Sequence, residues 1–217
     1  MHAEPGILVT RCIAGTTLSP AAVREPERLG RIVDLIRRCH RDVAGHLRGP
    51  VLAFWVFHVV RSYIGTLRDD GSRIAALLPG LARLCDDLER AVGAVEIVFA
   101  HNDLLAANLI DDGERLWLID WDYAGFNAPL FDLANLSSNN ELSEAEDRHV
   151  LARYFGERPA DARLAAFEAM KCASLLREAL WSAVSEIHSD LAFDFVAYTE
   201  DYLSRLDRAR RRIGLAP

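Results

Sequence analysis

The sequence has 217 residues, of which 51% are apolar, enough to bury the core of one or two small domains. Its formal net charge of −7 argues against nucleic acid or an anionic membrane surface as a partner. The 4 cysteines are widely spaced and include no C-x-x-C pair, which predicts reduced thiols in a cytoplasmic protein. The N-terminal residues show no basic-then-apolar signal pattern, and the longest apolar run is too short to span a bilayer.

The first half of the chain predicts a short strand followed by helices. Residues 6–10 are rich in β-forming side chains. Ser19 precedes a proline, a pair that is typical of a helix start. The spacing of apolar residues predicts three helices, over 19–39, 54–66 and 82–92. His40 and His46 are predicted to be surface or capping residues, because no third metal ligand lies near them in the sequence.

A polar loop between two apolar runs carries the main chemical signal. Residues 97–120 are IVFAHNDLLAANLIDDGERLWLID. The apolar runs at the two ends predict strands, and the D-D-G between them predicts a turn. The two runs are therefore predicted to pair as a small β-hairpin, which would bring Asp103, Asn108 and Asp120 to one end of the fold.

These three residue types fit phosphoryl transfer. The reaction needs a carboxylate to orient the attacking hydroxyl and accept its proton, and oxygen ligands to hold Mg²⁺ against the phosphates. Asp103 suits the first task, and Asn108 and Asp120 suit the second. The order H-x-D-x-x-x-x-N, followed by an Asp after a strand, is typical of kinase-like folds. A metal-dependent phosphohydrolase would use similar residues, but the extra ligands of a two-metal site are lacking.

The motifs HNDLLAANLI and LIDWDYAGFNAPLFDLANL resemble those of the choline/ethanolamine kinases, a branch of the aminoglycoside-phosphotransferase-like family with a protein-kinase-like fold. The resemblance implies ATP and Mg²⁺ as cofactors. It also implies transfer of the γ-phosphoryl group to the hydroxyl of a small cationic amino alcohol, choline or ethanolamine. Asp103 corresponds to the catalytic base and His101 to a hinge of the catalytic loop. Asn108 and Asp120 correspond to the Mg²⁺ and nucleotide ligands, and Asp122 lies beside the metal or substrate.

The same resemblance predicts the domain organisation. Residues 1–18 correspond to the interlobe linker, where backbone groups meet the adenine, although an ordinary edge strand explains them equally well. Residues 19–217 correspond to a mainly helical C-terminal lobe with a small β-hairpin and a catalytic loop over 98–125. The sequence has no glycine-rich phosphate loop, and its single lysine, Lys171, follows the catalytic loop. The N-terminal lobe is therefore expected to be missing.

Downstream of the catalytic loop the sequence predicts helices. A short helix over 130–136 contains Asp132, which in related folds holds the catalytic loop through its backbone; a surface carboxylate is the alternative. Residues 137–140 are predicted to be a loop. A capping box at Ser143 predicts a helix to about residue 154. Two long helices are predicted, an amphipathic one over 162–187 and another over 193–212.

Aromatic residues near the turn between these two long helices predict an acceptor site. Helical spacing alone explains Trp181, Phe193 and Tyr198 as core residues. In the choline kinases that REALWS and FDFVAY resemble, aromatic residues at these positions line the choline site. Each cation–π contact contributes about 0.5–2 kcal/mol. Glu178 replaces one aromatic residue of that pattern, and its carboxylate is predicted to attract a cation.

Three functions therefore stay open. The first is a choline or ethanolamine kinase. The second is a catalytically impaired homologue that acts as a small-molecule binding module, because loss of a single preorganised donor already costs about 10²–10³ in rate. The third is another small-molecule kinase, acting on thiamine or an aminoglycoside. The surface exposed by a missing lobe would also favour a homodimer.

Overall fold

The computed structural model describes residues 3–4, 7–8 and 10–215. The described part is mainly helical with small antiparallel sheets, which confirms the predicted fold class at this level. The helices are α1 (Pro20–Val23), α2 (Pro26–Asp42), α3 (Val56–Asp69), α4 (Leu78–Val92), α5 (Pro129–Asn140), α6 (Glu144–Phe155), α7 (Asp161–His188) and α8 (Phe195–Arg212). The strands are β1 (Ala3–Glu4), β2 (Ile7–Leu8), β3 (Thr16–Thr17), β4 (Val98–Ala100), β5 (Leu109–Asp111), β6 (Leu116–Leu118) and β7 (Gly125–Asn127).

The strand pairing differs from the predicted hairpin. β5 pairs antiparallel with β6, and β4 pairs antiparallel with β7. The predicted pairing of 97–100 with 116–119 was therefore wrong. The D-D-G turn closes between the two strands that directly flank it, with the Asp112 N–H donating to the Arg115 carbonyl at 3.1 Å. A two-strand hairpin still lies next to the polar loop, but its first strand follows that loop instead of preceding it.

The N-terminal segment contributes strands to two sheets. β1 pairs with β2, and β3 pairs with β5, with Thr16 opposite Asp111. The strand predicted over 6–10 contains β2 but does not extend to Thr10, and its residues 6 and 9 lie outside the described residues. The interlobe role of 1–18 stays a prediction, and residues 1–2 and 5 of that segment also lie outside the described part.

Proline and buried polar residues explain most differences in helix boundaries. The predicted helix over 19–39 is two helices, because Pro26 begins α2. Ser19 caps α1, and its hydroxyl accepts the Ala22 N–H at 3.2 Å. The predicted loop at 137–140 is in fact the last turn of α5. The capping box at Ser143 is confirmed, with both of its hydrogen bonds formed.

α7 lies at the centre of the fold and packs against α3, α4, α5 and α8. Its extent agrees with the predicted helix, but it is not amphipathic, because residues 169–180 are buried without interruption around the whole helix. Lys171 is buried in this stretch, and its Nζ lies 2.5 Å from Asp147 Oδ2 on α6. A buried charge requires such a partner. Among the described residues, no helix is long and apolar enough to cross a membrane.

Candidate active site

The carboxylate of Asp132 on α5 holds the start of the HND loop, which we define as residues 101–108. Asp132 Oδ2 accepts the His101 N–H at 2.8 Å, and its Oδ1 accepts the Asn102 N–H at 2.7 Å. His40 Nε2 lies 2.8 Å from the same Oδ2. Burial favours a higher pKa for Asp132, but hydrogen bonds and charge from His40 and His101 bring the pKa below its ordinary value.

Two sequence expectations are settled by these contacts. The predicted role of Asp132 in holding the loop backbone is confirmed. The prediction that His40 is a surface or capping residue was wrong. Its ring is buried between Asp132 and Tyr154, whose hydroxyl lies 2.7 Å from His40 Nδ1.

Side-chain amides hold the rest of the HND loop. Asn135 Oδ1 accepts the Leu104 N–H at 2.5 Å, and Asn140 Nδ2 donates to the Leu104 carbonyl at 3.2 Å. Asn102 adopts a left-handed backbone with φ of 68°, and its Nδ2 donates to the Tyr123 carbonyl at 3.0 Å. Asn is one of the few residues that adopts this conformation readily. The polar end of α5, predicted as a loop, is therefore helical and mostly buried, and its side chains bond Leu104, Asp147 and Ser174.

Asp103 and Asn108 are joined directly within the loop. Asn108 Nδ2 donates to the Asp103 carbonyl at 2.9 Å and to Asp103 Oδ2 at 3.1 Å. The amide oxygen of Asn108 makes no hydrogen bond to another described residue. Asp103 is 9% exposed. Burial raises the pKa of Asp103, while the positive charge of Arg177 opposes this increase and the negative charge of Asp120 adds to it.

Asp120 and Asp122 lie in the segment that follows β6. The Ile119 N–H donates to the Asn108 carbonyl at 3.0 Å, so the backbone before Asp120 is fixed to the HND loop. Asp120 has a left-handed backbone with φ of 61°. Both carboxylates are exposed, and neither bonds another side chain in the described residues. The structure therefore brings Asp103, Asn108 and Asp120 together, with Asp122 two residues further along the chain.

His101 connects the same two segments. Its Nε2 lies 2.9 Å from the Ile119 carbonyl, and the Asp103 N–H donates to its Nδ1 at 3.3 Å. Its ring packs edge-on against Trp121, with centroids 4.8 Å apart. Both ring nitrogens are thus used by backbone groups. This geometry favours the hinge role, and a direct catalytic role for His101 stays a prediction.

Arg177 on α7 is a site residue that the sequence interpretation missed. It is 1% exposed, and its Nη1 lies 3.7 Å from Asp103 Oδ1 and bonds the Glu178 carboxylate. Its Cζ lies 4.6 Å from the centroid of the Tyr123 ring. Glu178 is buried as well, and burial raises its pKa against the opposing charge of Arg177. The sequence did contain a signal for Arg177, which is a pair of charged residues inside the apolar run CASLLREALWSA. Such a run predicts burial, and buried charges need partners.

An aromatic cluster, defined as Trp181, Phe193, Phe195 and Tyr198, lies where α7 packs against the start of α8. The Tyr198 ring centroid lies 6.2 Å from that of Trp181 and 5.6 Å from that of Phe193. Trp181 and Tyr198 are half-buried, whereas Phe193 is 53% exposed. Burial raises the pKa of Tyr198, and the nearby charge of Glu178 adds to this. The predicted aromatic residues therefore meet beside Glu178, although their role in binding stays a prediction.

The donors available at this site suit Mg²⁺. In the part of the chain that the structure describes, no group of three or more His, Cys, Asp and Glu side chains could hold a metal ion. The predicted ligands are of a different kind, the amide oxygen of Asn108 and the carboxylate of Asp120. Mg²⁺ bound with nucleotide phosphates usually takes one or two protein oxygens and completes its shell with phosphate and water. The free amide oxygen and the unpaired carboxylate fit that pattern.

Comparison with known sequences identifies the relatives of this chain. A sequence model described as choline/ethanolamine kinase matches residues 6–149. Protein LicA of Haemophilus influenzae is 26% identical over 223 residues, which cover 100% of this chain and 81% of that protein. Ethanolamine kinase 2 of Mus musculus is 27% identical over 86% of this chain and 54% of that protein. The chain thus spans between about half and four fifths of the length of these two relatives.

Solved structures show the same fold. A choline/ethanolamine kinase family protein from Mesorhizobium loti superposes with a TM-score of 0.84 and 26% identity, covering 97% of this chain and 73% of that one. The structure of LicA in complex with AMP superposes with a TM-score of 0.69 and 22% identity, covering 90% of this chain and 67% of that one. An aminoglycoside 2'-phosphotransferase superposes with a TM-score of 0.63 and 14% identity, covering 93% of this chain and 69% of that one. The predicted protein-kinase-like fold is confirmed, and with a family match over more than half of its residues this chain belongs to the choline/ethanolamine kinase family.

Proposed function

We propose that this protein transfers the γ-phosphoryl group of ATP to the hydroxyl of a small cationic amino alcohol, choline or ethanolamine. The observation that carries the proposal is the hydrogen bond between Asn108 and Asp103 beside Asp120, in a loop whose backbone is held by Asp132. A carboxylate base next to oxygen donors for Mg²⁺ is the arrangement that phosphoryl transfer requires. The names of the relatives, which include ethanolamine kinases, support the class of acceptor.

Asp103 acts as the base in this proposal. The acceptor oxygen forms a bond to the γ-phosphorus, the bond between that phosphorus and the β,γ-bridging oxygen breaks, and ADP leaves with the electron pair. Asp103 orients the acceptor hydroxyl and receives its proton. Burial raises the pKa of Asp103, which makes its carboxylate a stronger base than an exposed aspartate. Its two buried neighbours, Asn108 and Arg177, restrict the directions in which the carboxylate points.

Asn108 and Asp120 would hold Mg²⁺, and Asp122 would lie at the edge of the same site. The bound ion supplies positive charge that offsets the charge of the phosphates. ATP is the nucleotide proposed because the family consists of kinases, and a structural neighbour was solved in complex with AMP. Lys171 cannot assist the phosphates from its place in the fold, because it is buried and paired with Asp147.

The aromatic cluster and Glu178 are proposed to recognise the cationic end of the acceptor. Aromatic faces attract an ammonium group, with about 0.5–2 kcal/mol for each contact. Glu178 lies on the helix that carries Trp181, and its negative charge reaches Tyr198. Glu178 is buried and its carboxylate bonds Arg177, so it would attract either cation through its charge, while the rings would contact the ammonium group.

One alternative is supported by a specific observation. The buried pairing of Lys171 leaves that side chain unavailable for the phosphates, so a binding module that lacks turnover is the second candidate. Isothermal titration with Mg·ATP, then with choline and ethanolamine, separates the two. Binding of both ligands followed by production of the phosphorylated alcohol supports the kinase. Binding of the alcohol without binding of Mg·ATP would refute the kinase and support the module.

Two further parts of the proposal concern the state of the protein. We propose the cytoplasm as its compartment, in line with free thiols at Cys12, Cys39, Cys85 and Cys172.

We also propose a homodimer. Light scattering that gives the mass of one chain at micromolar concentration would contradict the dimer, and it would leave the phosphotransferase proposal unaffected.

A further inference from the structure

Arg177 is the most completely buried charge beside the proposed base. Its Nη1 bonds Glu178 and lies 3.7 Å from Asp103 Oδ1. Its Cζ lies 4.6 Å from the Tyr123 ring centroid and 5.7 Å from that of Phe54. Nε and Nη2 are buried and find no hydrogen-bond partner among the described residues. One guanidinium is therefore held between two carboxylates and two aromatic rings.

The shape of this contact explains why arginine is suited to the position. A planar guanidinium directs its N–H groups outward in a fixed plane and stacks on aromatic rings, whereas an ammonium is a compact point charge. Glu178, the next residue on α7, fixes one edge of the plane, and Tyr123 covers a face. Nη1 is thereby directed toward Asp103. Asn108 donates a hydrogen bond to Asp103 Oδ2, and Arg177 Nη1 lies at ion-pair distance, 3.7 Å, from Asp103 Oδ1.

We infer that Arg177 is a positioning residue that fixes the side-chain orientation of Asp103 for attack by the acceptor hydroxyl. The inference rests on the proposed function, because it gives Asp103 the role of base. Arg177 does not touch the acceptor, since it is 1% exposed and enclosed by Tyr123 and Phe54. Its effect on the rate is expected through Asp103, and any effect on the KM for the acceptor through its bond to Glu178. The hydrogen bond from Asn108 to Oδ2 and the charge of Arg177 beside Oδ1 together favour one orientation of the Asp103 carboxylate.

The kinetic test compares two buried cations on the same helix. R177M removes the guanidinium and keeps an unbranched apolar stem. K171M makes the matching change at a buried lysine paired with Asp147, away from the HND loop. A misplaced catalytic group costs about 10²-fold in rate. R177M is expected to lower kcat by about that factor with the KM for ATP unchanged, and R177K to recover part of the loss. K171M, measured at a temperature where it is folded, is expected to keep the wild-type kcat.

A crystal structure of each variant gives a readout that needs no turnover. The Asp103 carboxylate is expected to rotate away from its wild-type orientation in R177M and to keep it in K171M. If R177M does not fold, the double variant R177M/E178Q removes the stranded carboxylate of Glu178 and is compared in the same way. An unchanged Asp103 orientation in these variants overturns the inference. A kcat of R177M equal to that of K171M overturns it too, as does a parallel loss of kcat and nucleotide binding.

The two levels of proposal fail differently. If the wild-type chain converts neither choline nor ethanolamine, the proposed function fails, and the crystal structures alone decide whether Arg177 orients Asp103. If the wild type turns over and Asp103 rotates in R177M without any change in kcat, the proposed function survives and the positioning role is rejected.

Discussion

The HND loop and the aromatic cluster, which form two sides of the candidate site, are built in different ways. The backbone of the HND loop is held by buried side chains of α5, including both oxygens of Asp132. The aromatic cluster is held by ring packing at the start of α8, and Phe193 remains 53% exposed. These hydrogen bonds fix the loop backbone without a ligand, the preorganisation that catalysis of phosphoryl transfer requires. The cluster has an exposed ring at its edge, so we expect changes in the loop to affect rate and changes in the cluster to affect affinity.

The sharpest way to break this comparison is to remove the proposed base. D103N keeps the size of the side chain and its contact with Asn108 but cannot accept a proton. A general base contributes about 10²–10⁴-fold, so kcat should fall by that amount while the affinity for choline stays within a factor of about two. Steady-state kinetics and isothermal titration measure the two quantities. D69N, at an exposed acid, serves as the control. A D103N rate equal to that of wild type would remove Asp103 from the mechanism.

The rigidity of the HND loop depends on Asp132. D132A leaves two backbone N–H groups and the His40 ring without their acceptor, and each buried unpaired donor costs about 1–3 kcal/mol. Counting the two backbone donors alone, urea denaturation should give a free energy of unfolding lower by about 2–6 kcal/mol. D132N, which keeps one oxygen acceptor, should lose less. Equal stability of D132A and wild type would mean that the loop is held by other contacts.

Whether a site residue could be predicted depends on how far apart in the sequence its interacting partners lie. The spacing of Asp103, Asn108 and Asp120 is local, so the motif located them without knowledge of the fold. Arg177 contacts the loop only through tertiary packing, and its identity as a site residue depends on which face of α7 meets Asp103. The polar end of α5 was predicted as a loop because its partners, which include Asp147, Ser174 and the Leu104 carbonyl, are distant or backbone groups that the local sequence does not reveal.

The fold itself was predictable to a similar degree. Helices with long apolar patterns were located within a few residues, because burial sets their periodicity. The strands contain two or three residues each, too few for a pattern to show which of them pair. The sequence therefore led to β4 as the predicted partner of β6, whereas β6 pairs with β5 and β4 pairs with β7.

The same Asp132 contacts make the stability of the loop depend on pH. The pKa of Asp132 is lower in the folded protein than in the unfolded chain, mainly because the hydrogen bond and charge from His40 overcome the effect of burial. Its contribution to stability is therefore complete above the unfolded pKa of about 4 and is lost as the pH falls through the folded value. The stability advantage of wild type over D132N should shrink as the pH falls below about 4. Urea denaturation over this range checks the trend, and a difference that grows toward low pH would reverse the assigned sign.

The smallest expected effects belong to the aromatic cluster. W181A removes a half-buried ring that contacts both Phe195 and Tyr198, so the KM for choline should rise by the equivalent of about 0.5–2 kcal/mol with little change in kcat. F193A removes a ring that is 53% exposed and should have the smaller effect. W117A, at an exposed tryptophan of the β5–β6 hairpin, is the matched control. If W181A lowers kcat by more than it raises KM, the cluster belongs to the rigid part of the site, and the proposed separation of rate from affinity does not hold.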